Sequence, residues 1–153
     1  MEVFTESPRE TAELGKSFAD NLKRRLPAGR QGEILALTGD LGSGKTTFVQ
    51  GLALGLGITQ RIISPTFVLM REYGMKRKGE SGKGKRLYHI DLYRLERNLE
   101  QEIENLGLED ILGKGENIVV IEWAEKIVPL LPKTAKWIKF ERMDEERRKI
   151  TFV

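Results

Sequence analysis

The segment at residues 39–46 reads Gly39-Asp40-Leu41-Gly42-Ser43-Gly44-Lys45-Thr46, and the fold prediction starts from it. It matches the pattern G-x-x-x-x-G-K-[ST] at every defined position. An almost continuous apolar run at 33–38 precedes it, and a helical pattern over 45–56 follows it. Because this pattern is informative where it joins a strand to a helix, the sequence predicts a phosphate-binding loop within an α/β fold.

The residue types in this loop suit the binding of nucleotide phosphates. Glycine allows backbone conformations that other residues avoid, so amide N–H groups can close around phosphate oxygens at the positive end of the following helix. The Lys45 ammonium would reach the β- and γ-phosphates, and the Thr46 hydroxyl would bind Mg²⁺. The predicted nucleotide-binding residues of the loop are Gly39, Asp40, Gly42, Ser43, Gly44, Lys45, Thr46 and Thr47.

Two acidic residues are candidates for completing a magnesium site. Glu122 follows the β-prone run 118–121, and Asp91 follows the strand-like run 87–90. Open α/β sheets bind ligands at the carboxyl ends of their strands, where an acidic residue commonly holds Mg²⁺ beside a phosphate loop. From the residues alone, each could instead be an ordinary capping residue. His89 lies inside a strand pattern and is interpreted as a structural residue rather than a base.

Three further features have two interpretations each. Ser64-Pro65-Thr66 could be a loop that senses the γ-phosphate or an ordinary turn. Trp123 is interpreted as a packing residue, with a contact to a partner or to a lid as the alternative. The Gly/Lys-rich segment 74–86 could contact tRNA or an acidic partner, or be a solvated hairpin tip.

Composition excludes several classes of protein. The 153 residues include no cysteine and one histidine, which rules out disulfides, thiolate zinc sites and iron–sulfur clusters. The formal charge is +3, but segment 74–86 holds six basic residues and one acidic residue, so the remainder carries about −2. A broad basic surface for nucleic acid is therefore not expected. With neither a secretory signal nor a long apolar run, the sequence predicts a cytoplasmic protein without a membrane span.

The chain is expected to form one domain over residues 1–153, the size of an ordinary globular domain. A capping box at Ser7-Pro8-Arg9-Glu10 predicts a helix that ends before Pro27. Leucine and isoleucine spacing predicts another helix from Leu95 to Leu106, broken at Gly107. Strands are predicted at 2–6, 33–38, 66–73, 87–90, 118–121, 137–142 and 149–153, with 66–73 and 87–90 forming a hairpin.

Beyond the phosphate loop, several ordered motifs resemble the TsaE (YjeE) family, the bacterial ATPases of tRNA threonylcarbamoyladenosine biosynthesis. The resemblance covers nearly the whole chain. It rests on the loop with Thr47-Phe48, then on Ser64-Pro65-Thr66-Phe67, His89-Ile90-Asp91-Leu92-Tyr93-Arg94-Leu95, Gly107-Leu108-Glu109-Asp110 and Glu122-Trp123-Ala124-Glu125. The opening segment, with Thr5-Glu6-Ser7 and Thr11, also resembles the start of that family, which lies near the adenine.

The resemblance implies an α/β P-loop NTPase with a mixed, mostly parallel central sheet flanked by helices and a β-hairpin. It implies ATP and Mg²⁺ as cofactors, with Lys45 on phosphate, Thr46 and Glu122 on the metal, Asp91 needed for hydrolysis and Thr11 in the nucleotide site. It also implies ATP hydrolysis, weak in isolation, in complex with TsaB and TsaD. That reaction supports modification of adenosine 37 in tRNAs that read codons beginning with A.

Two other functions are weighed against this one. A P-loop kinase of nucleosides or small molecules would need a substrate pocket and usually an arginine-rich lid, and segment 74–86 is too rich in glycine for that lid. A non-enzymatic RNA-binding module could use the same segment, but it lacks clustered aromatic residues for base stacking. The absence of an N-K-x-D motif disfavours a GTPase.

Overall fold

The structure, a computed structural model, describes residues 1–25, 32–63, 69–75, 85–112 and 117–153. The helices of these residues are α1 (Pro8–Arg25), α2 (Lys45–Gly55), α3 (Leu99–Asn105) and α4 (Leu108–Ile111), with a kinked 3₁₀ segment at Ala124–Leu130. The strands are β1 (Glu2–Thr5), β2 (Glu33–Thr38), β3 (Met70–Gly74), β4 (Arg86–Asp91), β5 (Ile118–Glu122), β6 (Lys136–Arg142) and β7 (Arg148–Phe152).

All seven described strands belong to one sheet, in the order β1-β7-β6-β2-β5-β4-β3. The four central strands, β6, β2, β5 and β4, are parallel, and β1, β7 and β3 pair antiparallel at the two edges. The predicted mixed α/β sheet is therefore confirmed, with its parallel part confined to the centre. Glu122 pairs with both Leu37 and Asp91, so the ends of β2, β4 and β5 meet at one edge of the sheet.

Both faces of the sheet are buried, because alternate residues of the central strands face opposite layers. One layer is formed by α1 and α2, whose Leu22, Phe48 and Leu52 pack against strand residues such as Val120 and Phe140. The other layer brings together Ile34, Ala36, Val119 and Ile121 with Ile103, Leu108 and Ile127. Because both faces of β2 and β5 are covered, nearly every residue in these two strands is apolar.

The start of α1 has the predicted capping box, except that one of its two hydrogen bonds comes from a backbone N–H one residue earlier than expected. The Ser7 hydroxyl accepts a hydrogen bond from the Glu10 N–H at 3.2 Å, as the box requires. The Glu10 carboxylate, however, accepts from the Glu6 N–H at 2.7 Å instead of that of Ser7. The cap still satisfies donors at the helix start.

The predicted helix at Leu95–Leu106 is shorter than its apolar spacing suggested. It begins at Leu99, and Leu95 lies in a turn where its N–H donates to the Leu92 carbonyl at 3.0 Å. Three hydrogen bonds from Lys126 to backbone carbonyls hold this turn, and the helix starts after it. The break at Gly107 is confirmed, with a φ of 69° and α4 starting one residue later.

The predicted hairpin differs in its boundaries, and two short elements were missed, α4 and the 3₁₀ segment. The hairpin of β3 and β4 is confirmed, with β3 starting at Met70; residues 66–68 lie outside the described residues. The 3₁₀ segment after β5 was not predicted, because its short turns leave no clear periodicity. Across the described ranges, no helix is long and apolar enough to cross a membrane.

Candidate functional site

The loop between β2 and α2 has the backbone that its glycines permit. Gly39, Gly42 and Gly44 have φ angles of 137°, 76° and 100°, a region that other residues rarely adopt. A Cβ on Gly39 would also lie 2.3 Å from the Phe140 carbonyl oxygen. The α2 helix starts at Lys45, directly after this loop. The predicted strand–loop–helix is confirmed, and the positive end of α2 faces the loop.

Lys45 is folded back onto the loop. Its Nζ donates to the carbonyl oxygens of Gly39 and Asp40, at 2.5 and 2.9 Å, and lies 4.6 Å from the centre of the Trp123 ring. Burial lowers the pKa of Lys45, and nearby carboxylates, Glu122 first, oppose that shift. The ammonium is thus held beside the space where phosphates would lie.

Trp123 owes its place over Lys45 to an unusual backbone. Its φ is 60°, in the left-handed region that non-glycine residues seldom adopt. This turn ends β5 and starts the 3₁₀ segment. The ring also packs against Tyr93, with ring centres 5.2 Å apart. Trp123 is therefore both a packing residue and a wall of the site.

Glu122 lies at the end of β5 with only 2% of its surface exposed. Its Oε1 accepts a hydrogen bond from the Thr46 hydroxyl at 3.0 Å. On its other side, Oε2 lies 2.5 Å from Nε2 of His89. The structure thus joins the two residues that were predicted to hold the metal.

This donor set fits magnesium. A hydroxyl and a carboxylate are hard oxygen ligands, and Mg²⁺ is commonly held by one or two side chains together with substrate phosphates and water. Consistent with so few protein ligands, no cluster of three metal-binding His, Cys, Asp or Glu residues occurs in the part of the chain that the structure describes. Thr46 and Glu122 are the residues that could hold the ion.

Asp91 lies at the end of β4, beside Glu122 in the sheet. Its Oδ1 accepts a hydrogen bond from the Tyr93 N–H at 2.9 Å, which fixes the carboxylate at the start of the following turn. The structure therefore places both acidic candidates at one sheet edge, as parallel pairing of their strands requires.

A cleft of about 270 Å³ runs along this edge. Its walls come from the phosphate loop and from the ends of β4 and β5. They are formed by Leu41, Gly42, Ser43, Gly44, Lys45, Thr46, Thr47, Asp91, Tyr93, Arg94, Glu122 and Trp123. The three predicted catalytic residues, Lys45, Asp91 and Glu122, thus share one cavity.

Thr11 lies behind the phosphate loop instead of on the cleft wall. It is buried, its hydroxyl is 2.7 Å from that of Thr5, and its methyl group would be 3.4 Å from a Cβ on Gly44. Its contact with nucleotide stays a prediction. The Ser64-Pro65-Thr66 segment lies outside the described residues, as do residues 76–84 of the basic segment.

Sequence reasoning missed several residues that shape the site. Lys126, in the 3₁₀ segment, donates to the carbonyl oxygens of Leu92, Tyr93 and Leu95 at 2.8–2.9 Å. The turn held in this way carries Arg94 into the cleft. The run from His89 to Leu95 had marked this turn as part of a motif, whereas no pattern in the sequence pointed to Lys126.

The sheet, the glycine loop at the start of α2 and the acidic ends of β4 and β5 define an α/β protein of the P-loop NTPase fold. Comparison with known proteins then identifies the family. The model of the family described as "Threonylcarbamoyl adenosine biosynthesis protein TsaE" matches residues 5–150. The chain belongs to the TsaE family.

Similar proteins support this assignment. Proteins named "tRNA threonylcarbamoyladenosine biosynthesis protein TsaE" include one from Bacillus subtilis, 38% identical over 97% of this chain and 82% of its own length. Another, from Treponema pallidum, is 35% identical over 99% of this chain and 98% of its own length. The crystal structure of Bacillus subtilis YdiB matches with a TM-score of 0.66 and 33% identity, covering 99% of this chain and 83% of that one.

Proposed function

We propose that this protein binds ATP with Mg²⁺ and hydrolyses it in support of threonylcarbamoyladenosine synthesis on tRNA. One observation carries the proposal: Lys45, Thr46, Glu122 and Asp91 come from three different elements and share one cleft at the carboxyl edge of the parallel strands. Phosphoryl transfer needs this combination of a cation, metal ligands and an acidic group near the γ-phosphate.

In the proposed reaction, Lys45 exchanges its bonds to the loop carbonyls for bonds to the β- and γ-phosphates. The N–H groups of the glycine loop and the start of α2 hold the phosphate chain. Thr46 and Glu122 would hold Mg²⁺, which would supply positive charge to the phosphate oxygens. Together these groups stabilise the charge that the transition state spreads over the transferred phosphoryl group.

Asp91 is proposed to act on the attacking water. The Tyr93 N–H holds one carboxylate oxygen of Asp91 in place, next to Glu122 in the sheet. A carboxylate fixed in this position can accept a hydrogen bond from water and orient it for in-line attack. The alternative, in which Asp91 supports the metal through Glu122, predicts a different response to metal concentration.

The names of similar proteins support a role in tRNA modification, because these proteins are named for tRNA threonylcarbamoyladenosine biosynthesis. We propose that hydrolysis occurs in complex with TsaB and TsaD and promotes modification of adenosine 37, with tRNA bound through the complex. Such a role places the protein in the cytoplasm. Activity of the isolated protein is expected to be weak if its loops need a partner to become ordered.

Phosphate release from ATP tests the proposal. The protein is assayed alone and with purified TsaB and TsaD, with and without tRNA, and Lys45→Ala serves as the matched control. Stimulation by the partners that Lys45→Ala abolishes is the expected result. Strong activity indifferent to the partners would contradict the proposal. Transfer of label from γ-labelled ATP to a nucleoside or small-molecule acceptor would instead support the kinase alternative.

A further inference from the structure

His89 is a fully buried polar residue inside an apolar layer. It lies in β4, pairs with Val120 of β5 and has no exposed surface. Val120 and Leu87, two residues before His89 in β4, belong to the core that packs against α1 and α2. Its Nδ1 has no hydrogen-bond partner among the described residues. Burying an unpaired polar atom costs free energy that an apolar side chain of similar volume would avoid.

The other ring nitrogen of His89 makes one contact, and that contact is to the candidate metal ligand. Nε2 lies 2.5 Å from Oε2 of Glu122, and both side chains are almost completely buried. A carboxylate that holds a cation only accepts hydrogen bonds, so in that state Nε2 is the donor. The strand register explains the contact, because His89 lies two residues before Asp91, which is the pairing partner of Glu122.

This contact makes the two oxygens of Glu122 different. Oε2 lies against His89, while Oε1 makes no hydrogen bond with the imidazole and lies 3.0 Å from the Thr46 hydroxyl. Without the imidazole, the carboxylate could rotate about its last torsion, whose energy profile is broad. Residues that orient metal ligands in this way commonly change metal affinity when they are replaced.

We propose that His89 is a positioning residue that fixes the carboxylate of Glu122, so that Oε1 and the Thr46 hydroxyl face the same cation. The inference rests on the proposed function, since it assumes that Glu122 and Thr46 hold Mg²⁺. It assigns His89 a role in metal binding with no contact to nucleotide.

Mn²⁺ binding to the complex of the protein with ADP tests this role, with free Mn²⁺ measured by electron paramagnetic resonance. His89→Leu keeps the volume and removes the donor, and we expect it to weaken Mn²⁺ binding by about 10-fold or more. His89→Gln places an N–H near the position of Nε2 and should restore binding to within about threefold of the original protein. ADP affinity measured in EDTA should be the same in all three proteins, which a general structural defect would not produce.

A further variant keeps the test decisive if leucine prevents folding. His89→Asn retains an amide but is too short to reach Glu122, so it should lose Mn²⁺ affinity as His89→Leu does. Thermal unfolding establishes which variants are folded.

Several results would overturn the inference. It fails if a folded Leu or Asn variant binds Mn²⁺ like the original protein, if Gln gives no recovery, or if only Gln permits folding. If the ADP complex of the unmodified protein binds no Mn²⁺, the metal site of the proposed function fails and the inference fails with it. Measurements on the unmodified protein therefore distinguish a failure of the proposed function from a failure of the role of His89.

Discussion

At the scale of single residues, the buried ammonium of Lys45 links nucleotide binding to pH. Burial lowers its pKa, so the charge is lost at a lower pH than in an ordinary lysine, whose pKa is about 10.4. A bound phosphate needs the charged form. We therefore expect the affinity for ADP, measured by calorimetry from pH 7 upward, to decline at a pH below the pKa of an ordinary lysine.

Two variants of Lys45 control for other effects of alkaline pH. Lys45→Arg keeps its charge throughout the range, so its affinity, although weaker, should not decline. Lys45→Ala should bind weakly at every pH. An affinity that declines no earlier than an ordinary lysine would allow contradicts the lowered pKa of Lys45. An affinity that Lys45→Ala leaves unchanged contradicts the assignment of Lys45 to phosphate.

Asp91 is the residue whose replacement should separate binding from hydrolysis. Asp91→Asn keeps the shape and can still accept the Tyr93 N–H, but it removes the negative charge that orients water. We expect unchanged nucleotide affinity and a loss of turnover of about 100-fold or more. If excess Mg²⁺ restores turnover, Asp91 supports the metal instead.

At the scale of elements, the close contact between α1 and α2 depends on glycine. A Cβ on Gly51 would lie 1.8 Å from the carbonyl oxygen of Ala12 in α1. Because α2 carries Lys45 and Thr46, Gly51→Ala should both destabilise the protein, by about 3 kcal/mol, and weaken nucleotide binding. Urea unfolding and calorimetry measure the two effects.

Gly74 provides the matched control for this prediction. A Cβ there would meet no described atom within 4 Å, so Gly74→Ala should change the free energy of unfolding by less than about 0.5 kcal/mol. Equal effects of the two substitutions would show that steric contact between the helices is not the cause.

Lys126 joins the 3₁₀ segment to the turn after β4. Lys126→Met keeps the side-chain length but leaves the carbonyls of Leu92, Tyr93 and Leu95 without their donor. We expect a loss of about 1–2 kcal/mol in unfolding free energy and a higher KM for ATP, because Tyr93 and Arg94 line the cleft from this turn. The exposed Lys133, replaced by Met, is the control and should change neither quantity.

At the scale of the whole molecule, the site lies where the central strands end, so a bound nucleotide would hold several elements together. A ligand at 100 times its Kd stabilises a folded protein by about 2.7 kcal/mol. For a chain of this size, a non-hydrolysable ATP analogue with Mg²⁺ should therefore raise Tm by about 5–10 °C. Calorimetry measures the shift, which EDTA should reduce and Lys45→Ala should remove. An equal shift in Lys45→Ala would place the nucleotide elsewhere.

The features that could be predicted from the residues alone are those whose physical cause is local. Glycines at 39, 42 and 44 were needed for backbone angles within one loop, and the apolar run of β2 and the pattern of α2 flanked that loop directly. Glu122 and Asp91 could be picked out because each ends a strand. The motifs in order then pointed to the family, because spacing along the chain is itself a property of sequence.

Contacts between side chains of distant segments, by contrast, depend on the three-dimensional fold. The order of the strands brings Glu122 next to His89, which is 33 residues away in sequence, and next to Thr46, which is 76 away. Lys126, from the 3₁₀ segment beyond β5, hydrogen-bonds a turn at 92–95 where the helix was predicted to begin, and the helix starts only at Leu99. Such contacts depend on sheet pairing and on the packing of separate elements, and no periodicity or spacing in a single segment records them.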